Sequence, residues 1–549
     1  MAEKIATIWP EIVLFITTCV VMILGLSPNK QWRSLCLPAS VAGLVIAGIL
    51  AAWGMREGGP VADTALPLMP GFVKVTIAVV GVLLVIVQAG LIDRREEALV
   101  STGRPFNPLR TNRAEYFSLV LFSLTGLMLC ASASDLIWLF LALELTSLPT
   151  YVMVAMSSSR DRAQEAAVKY FYLGALGAAT FLYGFVMLYG GTGTLKLGPM
   201  AEIIATEGIN PITLIGLLLT IAGLGFKIAA VPMHFYTADV YQGAAAPVTA
   251  FLAFVPKTAG FIALLLVCAT VGWRFGESGD ALPESLRVML WVMAAVTMTV
   301  GNVLAILQNS VKRVLAYSSI AHSGYMLVGL LAGPGDGSFP SSGVSAVLFY
   351  LAAYGITNTG AFAVIASLER RAADRGEPLE VDSFDDLRGL WKREPALGVV
   401  LAIVTLSLLG FPPLLGFMAK LPLFTAGISS GEIALVVILG LNSAIAAFYY
   451  LRIVKAAMID DPKAEAGSAD AASRHPSYQL RFATGMCSAV GVIGLSMLAG
   501  QIAGNTTSAG SYVPPVVGAS EAAEGVFAVV EQEAAGEART ETASSLPTS

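Results

Sequence analysis

Residues 211–241 read PITLIGLLLTIAGLGFKIAAVPMHFYTADVY. An apolar run leads into Lys227, and Pro232 follows five residues later. A hydrocarbon core of about 30 Å needs roughly 20 apolar residues per helix, so this stretch reads as a membrane span. The proline breaks it. Proline removes a backbone donor and frees a carbonyl, which lipid tolerates only inside protein or beside a wet cavity. The same pattern returns in residues 408–424, LLGFPPLLGFMAKLPLF, where Pro412 and Pro413 precede Lys420 and Pro422 follows it. A broken helix beside an intramembrane lysine is the pattern of an ion site in a transporter.

Working outward, about fourteen such stretches are predicted. They lie near 8–26, 35–53, 72–92, 114–132, 135–156, 165–190, 211–241 (broken), 247–271, 285–308, 313–332, 343–368, 395–427 (broken), 431–458 and 480–503. The fold class is an all-α polytopic membrane protein. Spans 7 and 12 are five helices apart. A five-helix unit repeated in tandem enters the membrane upside down, so spans 4–8 and 9–13 are expected to form two inverted repeats. The expected organisation is an N-terminal three-helix segment (1–110), a first repeat (111–272), a second repeat (273–459), a loop and last helix (460–504) and a tail (505–549). The tail is rich in Ala, Glu, Ser, Thr and Gly with Arg539 as its one base, a composition expected to stay disordered or loosely docked. The loop 369–394 places Phe384, Leu387, Leu390 and Trp391 at helical spacing, which predicts a short surface helix.

Composition agrees. Of 549 residues, 56% are hydrophobic and 13% charged, with mean hydropathy +0.74. Ordinary soluble domains are about 25% charged, so a soluble enzyme, a disordered chain and a secreted disulfide scaffold are excluded. The five cysteines are scattered without a C-x-x-C pair, and there are three histidines. No phosphate-binding glycine motif is present. The chain is therefore expected to bind no nucleotide, metal or redox cofactor of its own, and no nucleic acid; its immediate surroundings are the lipid bilayer. Loops after odd-numbered spans hold 19 of the 33 Lys and Arg, against five on the other side with both termini. That bias places the odd loops in the cytoplasm and both termini outside.

Ionisable residues within spans are functional candidates, because charge at the bilayer centre costs several kcal/mol. Five stand out: Glu144 in span 5, Lys169 in span 6, Lys227 in span 7, Lys257 in span 8 and Lys420 in span 12. A buried ion pair that only holds helices together, or a snorkelling lysine, accounts for any one of them. It does not account for the set, since one carboxylate cannot neutralise four ammoniums. Burial disfavours the charged form of a lysine, and a lysine that is neutral or charged near pH 7 carries protons. His234, two residues beyond Pro232, and His322 in span 10 are possible relays. Tyr317, Ser318, Ser319, Tyr325, Thr405 and Ser407 are candidates to hold waters between these groups, or equally to bond neighbouring helices.

At these residues the sequence resembles a known family. Residues 223–261 (GLGFKIAAVPMHFYTADVYQGAAAPVTAFLAFVPKTAGF), 311–329 (VKRVLAYSSIAHSGYMLVG) and 408–424 are similar to the antiporter-like membrane subunits of respiratory complex I, the bacterial NADH–quinone oxidoreductase. Residues 166–194 (AAVKYFYLGALGAATFLYGFVMLYGGTGT) and 350–365 (YLAAYGITNTGAFAVI) strengthen it, and the resemblance spans roughly 110–455. It implies a proton-translocating subunit of the membrane arm, in the bacterial inner membrane. Neighbouring antiporter-like and small subunits would be its partners, and NADH, FMN, iron–sulfur clusters and quinone would be bound by other subunits. By matching motif, Glu144 resembles the glutamate that pairs with the lysine of broken span 7, here Lys227. Lys169 matches a span 6 lysine near that pair, Lys257 the central lysine of span 8, and Lys420 the lysine of broken span 12 on the exit side. The alternative is a subunit of a multisubunit cation/proton antiporter, which shares the broken-helix motifs. The intact lysine set argues against a purely structural subunit, and the sequence shows no charged substrate pocket apart from the proton chain to favour a solute transporter.

Overall fold

In lipid, every backbone polar group must be satisfied within its own segment, and the chain answers with helices. The computed structural model describes residues 7–56, 64–92, 112–158, 161–275, 281–374, 381–462 and 476–515. Among these there is no strand, and β-type pairing is limited to three isolated bridges. Eleven helices are long and apolar enough to cross a membrane, and the shorter Trp9–Gly25, Pro211–Lys227, Pro395–Leu409 and Leu415–Ser429 are also apolar. A helix or a broken helix stands at each expected stretch.

Helix starts follow from side-chain caps. Asn210 accepts from the Thr213 N–H at 2.9 Å, with Pro211 in the first turn, and Asp135 accepts from the Trp138 N–H at 2.8 Å. Each such cap satisfies an orphan donor of the first turn. The helix Ala246–Val271 is the centre of the molecule, with every residue buried. Val311–Ala332 and the span Gly343–Glu369 are nearly as enclosed. Cys36–Arg56 and Asp161–Thr192 lie at the periphery and show apolar residues outward.

Small residues let two helices approach where the first break forms. Asp161–Thr192 packs along Pro211–Lys227. A Cβ on Gly223 would fall 2.4 Å from the Phe181 backbone nitrogen, and one on Gly184 would fall 2.6 Å from that of Thr220. Such close packing substitutes for the hydrophobic drive that lipid does not supply.

Both breaks are present. Pro211–Lys227 stops at Lys227 and the chain resumes as Thr237–Gly243, with a cis Val231–Pro232 bond between them. Pro395–Leu409 stops at Gly410, whose φ of 88° suits a residue without a Cβ, and Leu415–Ser429 follows. The predicted helix in loop 369–394 is two single turns, Phe384–Leu387 and Leu390–Arg393, divided by Gly389. A short helix that the sequence reading lacked, Leu197–Glu207, joins spans 6 and 7.

The segment from 505, expected as a tail, starts folded. Helix Ala499–Ala509 runs across that boundary. Beyond it, the Tyr512 ring meets Trp273 edge-on, and the Val513 N–H donates to the Ala65 carbonyl at 3.0 Å. A few specific contacts anchor it, which average composition does not register. Residues 516–549 lie outside the described residues.

Candidate functional site

The first break ends in a cation facing a carboxylate. Lys227 is the last residue of its half-helix, where the negative end of the helix dipole favours a cation. Its Nζ lies 3.2 Å from Glu144 Oε1, with the Lys227 side chain 1% exposed and that of Glu144 18%. Glu144 comes from Leu136–Ser157. One turn further on that helix, Ser147 accepts from Lys227 Nζ at 2.5 Å. The Phe181 ring covers the ammonium at 5.5 Å.

Lys257 stands in the middle of the central helix, directly after Pro256. Its Nζ donates to the Ser319 carbonyl and to Ser319 Oγ at 2.5 Å, and lies over the Tyr354 ring at 5.1 Å. Among the described residues no carboxylate is within ion-pair distance of it. A cavity of about 10 Å³ is lined by both Lys227 and Lys257, with Tyr170, Tyr236 and Tyr241. That is room for about one water, and the tyrosines can supply its partners.

Beyond Lys257 the path is aromatic and hydroxylic. His322 places Nδ1 2.5 Å from the Tyr350 hydroxyl and Nε2 2.8 Å from that of Tyr450; Tyr450 also bonds Ser318. The Tyr354 ring that lies under Lys257 packs against His322 with centroids 5.1 Å apart. The Tyr325 ring does the same on the other side, 5.5 Å from His322 and 5.1 Å from Lys420 Nζ. Lys420 then donates to the Leu409 carbonyl at 2.7 Å, the last residue before the second break. Among the described residues no carboxylate pairs with it either. A cavity of about 360 Å³ opens beside Lys420, walled by Phe411, Pro412, Phe417 and Ser443. Next to it Asn302 donates to the Tyr325 hydroxyl and accepts from that of Tyr449, both at 2.9 Å.

The structure thus brings together Glu144, Lys227, Lys257, His322 and Lys420. It does not bring in Lys169. That side chain is 43% exposed and pairs with Glu165 at 2.7 Å and Asp239 at 2.9 Å. Its neighbour Tyr170 faces the core instead, stacked on Tyr236. Adjacent helical residues point about 100° apart, and on this peripheral helix Lys169 falls on the outer side. His234 is buried, but it does not line the cavity between the lysines, and its Nδ1 has no hydrogen-bond partner among the described residues. Ser407 accepts from the Gly416 N–H at 3.0 Å and so stitches the second break.

Several groups escaped the sequence reading. Ser147 sits three residues after Glu144, a spacing that already puts both on one helix face. Tyr350 and Tyr354 share a face for the same reason. Tyr450, Asn302 and Asn442 offered no local signal. Two further buried ion pairs appear: Lys74 with Glu11 at 2.7 Å, and Lys312 with Glu369 at 2.6 Å. Both join residues far apart in sequence.

Comparison with known proteins gives the family. Residues 133–446 match the family described as NADH:quinone oxidoreductase/Mrp antiporter, TM, a range that holds Glu144, Lys227, Lys257, His322 and Lys420. NADH-quinone oxidoreductase subunit N of Nitrosomonas europaea is 38% identical over 469 residues, covering 83% of this chain and 89% of that protein. Its counterpart in Paramagnetospirillum magneticum is 41% identical over 358 residues, covering 64% and 70%. A chain of respiratory complex I from Thermus thermophilus with bound aureothin aligns with a TM-score of 0.69 at 30% identity, over 91% of this chain and 99% of that one. A chain of the Mrp complex from a Dietzia species shares the fold, with a TM-score of 0.73 at 19% identity over 93% and 97%. The extent of these matches and the agreement of the relatives establish that the chain belongs to the NADH-quinone oxidoreductase subunit N family of antiporter-like membrane subunits.

Proposed function

We propose that this chain translocates protons in the membrane arm of a NADH:quinone oxidoreductase, driven by quinone reduction in other subunits. The observation that carries the reading is the Glu144–Lys227 pair at a helix break, separated from Lys257 by a water-sized cavity. With Glu144 charged, Lys227 holds its proton. When a neighbouring subunit's state weakens that pair, the proton passes through water in the cavity to Lys257, then along Ser319 and the His322 cluster to Lys420. Spans 4–8 and 9–13 act as two inverted units, each contributing one broken helix and one half-channel. Both termini face the periplasm. NADH, FMN, iron–sulfur clusters and quinone belong to other subunits, and this chain contributes no redox centre.

Purification of the complex from native membranes, followed by reconstitution into vesicles, tests the reading. The expected result is co-purification with flavin and iron–sulfur subunits, and NADH-driven acidification that needs this chain. Co-purification with antiporter subunits alone, and sodium–proton exchange without NADH, would replace it with the multisubunit antiporter.

A further inference from the structure

The short helix Thr237–Gly243, on the far side of the first break, has two unlike faces. Thr237, Val240 and Tyr241 wall the cavity shared by Lys227 and Lys257. Asp239 and Gln242 face the other way, into a cluster of charges. Asp239 receives Lys169 at 2.9 Å and Arg313 Nη1 at 2.8 Å. Gln242 accepts from Arg313 at 3.3 Å and donates to Asp382 at 2.6 Å. Lys169 and Arg313 belong to two different long helices, so Asp239 is clamped from both sides.

The ends of this short helix are held in a different manner. At one end the Tyr236 hydroxyl donates to the Phe226 carbonyl at 2.9 Å. At the other, the buried Lys312–Glu369 pair reaches the backbone: Lys312 donates to the Ala244 carbonyl, and Glu369 accepts from the Ala246 N–H, both at 3.4 Å. Lys312 is fully buried. Removing one partner of a buried pair is strongly destabilising, whereas partly exposed pairs are individually weak and open readily. The fixed points are therefore the ends, and the releasable point is Asp239.

We propose that Lys169, Asp239 and Arg313 form a latch on a flap, the helix Thr237–Gly243, whose opening admits water from the charged face to the cavity between Lys227 and Lys257. Lys169 is then a positioning residue that acts through Asp239, not a member of the relay. The proposal rests on the relay reading above for its purpose, but its geometry stands on its own. Water access would be controlled at a wall of the cavity built from a single short helix. In the proposed orientation the latch faces the cytoplasm, the side from which protons are taken.

The test uses the whole complex in inverted membrane vesicles. Val240→Cys places a thiol on the buried face of the flap, and a small membrane-impermeant thiol reagent is applied to the charged side. Labelling is read by mass spectrometry of the peptide containing residue 240. With the latch intact, labelling is slow. Asp239→Asn should raise it several-fold, Lys169→Gln should raise it less, and Lys169→Arg should restore protection. Glu165→Gln, which touches Lys169 but not the flap, should leave it unchanged. Unchanged labelling in Asp239→Asn, or an equal rise in Glu165→Gln, overturns the latch. The measurement needs no turnover. A latch that fails while Lys227→Met abolishes pumping leaves the relay reading intact; a latch that works while Lys227→Met pumps normally removes the relay reading alone.

Discussion

Replacing Lys227 by Met and Glu144 by Gln, singly and together, separates a working ion pair from a structural one. At 3.2 Å and an effective dielectric of 20, the pair's attraction is about 5 kcal/mol. Moving one proton against 100 mV costs about 2.3 kcal/mol. Making and breaking this single contact is thus large enough to load and release a proton against the membrane potential. Stability follows a different pattern. Removing one partner of a buried pair destabilises by about 3–5 kcal/mol, while replacing both by neutral groups of similar volume is often harmless. Glu144 keeps some exposure, so the lower end of that range is expected for Lys227→Met. Each single variant should weaken the assembled subunit, and the double variant should recover most of the loss. Pumping should be lost in all three. The assay is proton uptake per electron in reconstituted vesicles, with thermal stability of the purified complex measured in parallel. NADH oxidation by an artificial acceptor should persist, because the proposed function places that chemistry in other subunits. A double variant that is both stable and fully pumping would refute the relay, since the pair would then only hold two helices together.

Two further outcomes are expected. At Lys420, a replacement that can still exchange a proton should serve better than one that cannot: Lys420→His should keep part of the pumping and Lys420→Leu the least, measured as protons per electron. Full pumping in Lys420→Arg together with none in Lys420→His would leave Lys420 as a fixed charge. Truncation after Leu498 removes the Tyr512–Trp273 ring contact and the Val513–Ala65 hydrogen bond, together worth on the order of 2 kcal/mol. The complex should then lose this subunit more easily in detergent, while truncation after residue 515 should not matter; equal behaviour of the two would mean the docked segment adds nothing.

The spans and their breaks were readable because lipid permits so few solutions. A long apolar run must be helical, and proline next to lysine must face protein or water. Lys227, Lys257 and Lys420 were visible for the same reason: each is a cation where only function or a partner tolerates one. What the reading of single residues missed is orientation around a helix. Glu165 stands four residues before Lys169 and shares its face, a spacing that marks that side as charged and leaves Tyr170, about 100° away, to the interior. Nor could the surroundings of His322 be read, because its hydrogen-bond partners lie 28 and 128 residues away. The docked start of the tail was hidden for a third reason: two side chains, Trp273 and Tyr512, decide what the composition of 45 residues averages out.

Leaving Lys169 outside the buried line does not balance the charges within it. With Lys169 satisfied by Glu165 and Asp239 at the charged face, the buried line has three lysines and one carboxylate. Among the described residues Lys227 alone of the three has an anionic partner. Lys257 and Lys420 are held among the described residues by neutral acceptors, the Ser319 carbonyl and hydroxyl and the Leu409 carbonyl. This difference matters for transfer. A lysine that leaves an ion pair by losing its proton strands a buried carboxylate, which is costly. A lysine that gives up a proton beside a carbonyl or a hydroxyl strands nothing. In the proposed relay the coupling contact therefore belongs at Lys227, where proton loss would be tied to a change at Glu144. In the proposed relay Lys257 and Lys420 pass a proton on, and their polar neighbours would keep the ammonium solvated while it is there.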